Sequence, residues 1–292
     1  MKRDPMVFCI YSNSHISDND SNEEHIFPLT LGGSNAFTIQ VSKISNTRSN
    51  RELDEKLKSC LFLATNRKKH DARGHKNKAI TPPKAKITVG TDKSVVFKFD
   101  ENGLLQLYSH LRAKSLTSDD LKGQRVTIGI CQERSLRLKF TAKVALASGY
   151  FVYGDAFIAN TETSELRALM HYGGELHDEV LINNIVSTGW YWPKPVGDGD
   201  AEMHSIFERI NDMFGCSFVA IITSAVPDKI IIVVGVLGHL TGVISCPANC
   251  DAFPRTGDYD LGHVVALGDR QLKRMSFRSC LKELDGLSNN CF

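Results

Sequence analysis

The sequence predicts an α+β protein, a small polar N-terminal unit followed by a larger mixed α+β domain. Three observations lead there. The texture of the chain changes twice: residues 1–64 are polar and rich in Asn and Ser, residues 65–90 are dense in Lys and Arg, and residues 91–292 mix strand-like and helix-like runs. Short β-branched and aromatic runs bounded by turn residues read as strands. Other stretches carry the boundary signals of helices.

In chain order, "MVFCIY" (Met6–Tyr11) is a short apolar start. Gly32-Gly33 permits a tight turn that folds the strand before it back toward the helix after it. Asn46 and Asn50 are four apart, so a helix there presents both on one face. Pro82-Pro83 favours an extended segment. "VVFKF" and "LLQLY" flank "DENG" (Asp100–Gly103), a hairpin signature, and "RVTIGIC" (Arg125–Cys131) is a further strand. "SLRLKFTAKVALASGY" suits helix or strand; the Ala and Lys of Thr141–Ala147 favour helix. Thr163–Gly173 has a Thr start, an early Glu and a Gly stop. The most apolar tract, Phe218–Ser245, is split by Pro227-Asp228-Lys229 into runs too short to span a membrane, and reads as a buried hairpin. Leu267–Leu284 has the pattern of a closing amphipathic helix.

Composition narrows the classes. At 292 residues, with 42% apolar and 23% charged residues, the chain suits a soluble globular protein with a substantial core. No export signal is visible and the eight cysteines are scattered, which suits reduced thiols in a cytoplasmic protein. "CPANC" (Cys246, Cys250) lacks a second pair to close a zinc site. The net charge of +2 points to no partner class. Its distribution says more: Lys68, Lys69, Arg73, Lys76 and Lys78 lie in a run opposed only by Asp71. Such a run is either a solvated linker or an arm that grips nucleic-acid phosphates. Trp190, Tyr191 and Trp192 either stack on a base or cap the edge of the core.

The chemistry concentrates in "EHIFPLTLGGSNAFTIQVSKISNTRSN" (Glu24–Asn50). Glu24 offers an oxygen ligand and His25 an imidazole able to take a proton near neutral pH. If the Gly-Gly turn folds back, acid, imidazole and carboxamides converge on one pocket.

This string resembles the HNH nucleases, which fold as a ββα-metal unit. The residues carrying the resemblance are "EHIFPLTLGG" (Glu24–Gly33), then Asn35, then "SKISN" (Ser42–Asn46), within the first 60 residues or so. The resemblance implies His25 as general base and Asn35 as the carboxamide that orients it. It implies Glu24 and Asn46 as ligands of Mg2+ or Mn2+, with Asn50 one turn further as a third, and DNA, most simply double-stranded, as substrate. The cysteine pairs that bind structural zinc in many members read Cys9, Ser12, Ser42 and Ser45 here, so no structural zinc is expected. Packing by Phe8, Ile10, Ile39 and Ile44 is expected to replace it. The implied activity is metal-dependent phosphodiester hydrolysis in restriction, defence or mobile-element biology, by a monomer or homodimer. The larger domain would serve target choice or regulation. The rival readings are a nucleic-acid-binding module that no longer cuts, and a ligand-regulated effector.

Overall fold

A computed structural model describes residues 5–129, 134–172, 187–189, 198–226 and 228–289. Trp190, Tyr191 and Trp192 lie outside them. The architecture is mixed α+β, with several separate sheets.

The chain opens with an antiparallel hairpin, β1 (Met6–Cys9) and β2 (Ser14–Ser17). A second antiparallel pair follows, β3 (Ser21–His25) and β4 (Thr38–Ser42), in the register Glu24↔Ile39 and His25↔Thr38. β4 runs straight into helix α1 (Lys43–Ser49), which passes through a π-helical turn, Asn50–Asp54, into the single turn α2 (Glu55–Leu57). Helix α3 (Leu61–Lys69) comes next. At the zinc-like positions, the Ser42 N–H donates to the buried Cys9 Sγ at 3.2 Å, joining the end of β1 to the end of β4. Ile10 and Ile39 are buried and Phe8 packs against the same core. Ile44 does not join them. It is 81% exposed, because α1 turns Ser49 inward and carries Ile44 on its outer side.

The basic run is less free than an arm. Arg67, Lys68 and Lys69 form the last turn of α3, and the residues after it run through turns at His70-Asp71 and His75-Lys76 before β5. A five-stranded antiparallel sheet follows, built from β5 (Lys86–Val89), β6 (Asp92–Phe99), β7 (Leu105–Ser109), β8 (Lys114–Ser115) and β9 (Val126–Gly129). Its strand order is β8-β7-β6-β5-β9, and β6 and β7 pair across the "DENG" turn. Ile87, Val89 and Val95 form its small core, which the one-turn helix α4 (Ser118–Leu121) joins through Leu121.

Helix α5 (Arg134–Tyr153) organises the rest. From Phe140 to Ser148 every side chain is fully buried, as expected of a helix apolar nearly all round that runs through a core. Two short helices follow, α6 (Asp155–Asn160) and α7 (Ser164–His171). Arg48 of α1 donates to the His171 carbonyl at 2.9 Å, fastening α7 to the N-terminal unit.

The C-terminal sheet contains β10 (Ser187–Gly189), β11 (Phe218–Val226), β12 (Lys229–Val236), β13 (His239–Pro247), β14 (Gly262–Ala266) and β15 (Lys273–Ser276). Its order is β10-β13-β12-β11-β14-β15, antiparallel throughout. Alternation along β11 sets its two faces. Val219 and Ile221 join the large core that holds α5 and the N-terminal unit. Phe218, Ala220 and Ile222 join a second core under α8 (Asp198–Phe214) and α9 (Phe277–Asn289). The closing segment is therefore not one helix: Lys273–Ser276 pairs with β14, and α9 begins only at Phe277. Among the described residues no helix is long and apolar enough to cross a membrane.

Candidate phosphodiester site

The loop between β3 and β4 brings Asn35 back to His25. The Ile26 N–H donates to the Phe37 carbonyl at 3.1 Å, and the Gly33 N–H donates to the Pro28 carbonyl at 3.0 Å. Gly33 is required by close approach, since a Cβ there would sit 1.7 Å from the Phe27 carbonyl oxygen. The loop is held from far along the chain. The buried Ser217 hydroxyl donates to the Leu31 carbonyl at 2.6 Å and accepts from the Leu237 N–H at 3.0 Å.

His25 Nε2 lies 2.9 Å from Asn35 Oδ1. A carboxamide oxygen only accepts, so Nε2 carries a proton, and in the neutral ring Nδ1 then keeps its lone pair. That is the tautomer a general base needs. The His75 ring meets the His25 ring edge-on, with centroids 5.3 Å apart.

Glu24, one residue back, points to the other face of the strand. Its carboxylate is buried, and Oε1 lies 2.6 Å from the Lys143 ammonium of α5. Lys143 also donates to both oxygens of the buried Asp54, at 3.0 and 2.8 Å. The contact with Glu24 is an ion pair without hydrogen-bond alignment. Burial pushes the Asp54 carboxyl up to about 6, against the opposing pull of Lys143. Burial alone would lower Lys143, but Asp54 and Glu24 reverse this and hold it above its ordinary value. These directions agree physically: the ammonium stays charged between two carboxylates, and burial beside the Glu24 charge outweighs the pull of Lys143 on Asp54. Burial, with Glu24 and Asp54 nearby, also raises the Tyr11 phenol, whose hydroxyl has no hydrogen-bond partner.

Asn46 staples α1 to β3, its Nδ2 donating to Asn22 Oδ1 at 3.1 Å and to the Glu23 carbonyl at 3.2 Å. Asn50, exposed, opens the π-helical turn. Glu23, on the same face as His25, accepts from the Thr38 hydroxyl at 2.8 Å.

These groups line one cleft of about 1030 Å³. Glu24, His25, Asn46, Asn50 and Asp54 line it together with Lys58, Arg67, His75, Lys76, Lys78 and Lys84. Lys68, Lys69 and Arg73 are not among its lining residues. Lys68 lies over the Phe99 ring and Arg73 pairs with Asp71. Arg67 is committed to backbone, donating to the carbonyls of Thr30 and Lys58.

Of the residues the sequence singles out, the structure brings His25, Glu24, Asn46, Asn50, Lys76 and Lys78 to the cleft, with Asn35 bonded to His25. Sequence reasoning missed Asp54, His75, Lys143 and Lys58. Asp54 had a signal, being four residues beyond Asn50 as Asn50 is beyond Asn46. Lys143 had one too, a lone charge in "FTAKVALAS".

The fit of a divalent ion can be judged from these contacts. Mg2+ needs oxygens at about 2.0–2.1 Å in octahedral array. Both carboxylates that could supply them are already engaged by an ammonium. Among the described residues no group of three His, Cys, Asp or Glu side chains converges as cation ligands. The arrangement does not fit a divalent ion while Lys143 is seated. No family model, curated protein or solved structure matches the chain.

Proposed function

We propose that the cleft is an HNH-like phosphodiester site, and that the chain hydrolyses nucleic-acid backbones, double-stranded DNA being the substrate class. The observation that carries this reading is the His25–Asn35 hydrogen bond facing a lysine-lined cleft. Lys76, Lys78 and Lys84 supply the charge that holds phosphates, an interaction that positions a backbone without reading bases. His25 Nδ1 accepts a proton from the water that attacks phosphorus in line, a role that typically contributes about 10²–10⁴-fold. Asn35 fixes the ring and its tautomer. The bond from phosphorus to the 3′ oxygen breaks and that oxygen takes a proton from solvent, so the products are a 5′-phosphate and a 3′-hydroxyl. Glu24 and Asp54 are engaged by Lys143 and are not free to hold Mg2+ or Mn2+. The residues beyond the cleft serve target choice or regulation.

One observation favours a second reading. Both carboxylates that a catalytic metal would use are engaged by Lys143, which suits a module that binds nucleic acid through its lysines without cutting it. Purified protein incubated with plasmid DNA, in Mg2+, in Mn2+ and in EDTA, separates the two. Cleavage that falls at least tenfold in His25→Ala, with DNA affinity unchanged, supports the hydrolase. Binding with no cleavage under any of the three conditions selects the second reading.

A further inference from the structure

Lys143 is the buried charge that the proposed hydrolysis leaves unused. It projects from the middle of α5, between Ala142 and Val144, and is 0% exposed. Glu24 and Asp54, at 5% and 6%, are nearly as buried. Burying a charge is tolerated when it is paired, and an ammonium has three protons to direct. Here three carboxylate oxygens lie within 3.0 Å of Nζ: Glu24 Oε1 and both oxygens of Asp54. The carboxylates come from β3 and from the π-helical turn, whereas the ammonium comes from a helix, 89 residues beyond Asp54. A metal ion between Glu24 and Asp54 would need the same oxygens at shorter range. Ion and ammonium therefore exclude each other.

We propose that Lys143 is the resident cation of this centre: an ammonium delivered by α5 stands between Glu24 and Asp54, and the folded chain takes up no divalent ion there. Lys143 is a positioning residue in this scheme. It offsets charge in the floor of the cleft and holds α5 against β3, while His25 and the cleft lysines face the substrate. The proposal rests on the phosphodiester reading only for its chemical meaning, and its test reads metal uptake.

The experiment titrates Mn2+ into the full chain and follows free Mn2+ by its electron paramagnetic resonance signal, with melting temperature as a second readout. The proteins are the wild type, Glu24→Gln, Lys143→Met and the double variant Glu24→Gln/Lys143→Met. The wild type is expected to match Glu24→Gln in uptake and to melt at the same temperature in Mn2+ and in EDTA. Lys143→Met, with two carboxylates and no ammonium, is expected to gain a Mn2+ site and a melting temperature that rises with Mn2+. The double variant is expected to lose both. Uptake by the wild type that disappears in Glu24→Gln overturns the proposal, and so does a folded Lys143→Met that gains no Mn2+. Should Lys143→Met fail to fold, the comparison of wild type with Glu24→Gln decides alone. Absence of DNA cleavage under all conditions would overturn the hydrolase reading and leave this result standing. Cleavage that persists in EDTA is expected if both hold.

Discussion

Replacing Ser217 with Ala removes one oxygen atom and should loosen the loop that carries Asn35. The hydroxyl is fully buried and makes two hydrogen bonds, one to the Leu31 carbonyl at 2.6 Å and one from the Leu237 N–H at 3.0 Å. Alanine can make neither. A buried polar group stranded in this way costs about 1–3 kcal/mol, so two of them set an expected loss of about 3 kcal/mol, allowing some relaxation. For a chain of this size each kcal/mol moves Tm by about 1.5–2 °C, which gives a drop of about 5–6 °C. Differential scanning fluorimetry reads this directly. Ser59→Ala is the control, because its hydroxyl is exposed and bonds only within its own turn. A Ser217→Ala melting curve within about 1 °C of wild type would refute the reasoning. It would mean that the glycine turn is held by packing alone.

Two further predictions rest on charge. His239, at the start of β13, is lowered to about 4 by burial and by Arg137. Its folded value lies below the unfolded value near 6.5, so stability is highest above pH 6.5 and is lost as pH falls towards 4. The loss should reach about 2 kcal/mol by pH 5, read as a shift in urea midpoint between pH 7 and pH 5 that largely disappears in His239→Gln. In the cleft, replacing Lys76, Lys78 and Lys84 with Gln should flatten the salt dependence of DNA affinity by about 0.9 in log–log slope per lost phosphate contact. Lys69→Gln/Arg73→Gln should leave that slope unchanged. Fluorescence anisotropy over a salt series compares them, and an equal effect of the two sets would move the grip off the cleft.

Much of the site was legible because its key contacts are local. Glu24, His25, Gly33, Asn35 and Asn46 fall within one short stretch, and the turn that joins His25 to Asn35 needs only ten residues of separation. The β6–β7 and β11–β12 hairpins were legible for the same reason. What escaped depends on distant residues. Glu24 looks like a ligand until α5 arrives with Lys143, and nothing near Glu24 announces that partner. Ile44 looks like core by composition, but the helix phase set by β4 turns it to solvent. The basic run reads as one block because its charges are contiguous. The folded chain divides it, Lys68 going to the Phe99 ring and Lys76 and Lys78 to the cleft. The β-strand Lys273–Ser276 hides in a helical pattern because β14 supplies its pairing.

The Ser217–Leu31 bond also sets a timetable for synthesis. Its two ends are 186 residues apart. At about 5–20 residues per second, a ribosome adds that stretch in about 10–40 s. Throughout that interval the nascent Gly32-Gly33 turn has no hydroxyl to hold it, and for the first part of it Glu24 and Asp54 have no ammonium between them. Two of the contacts that hold the cleft are thus supplied from later in the chain, after its own residues have left the ribosome. A chain that stalls before Ser217 carries every residue of the cleft wall and lacks this bond to hold its loop.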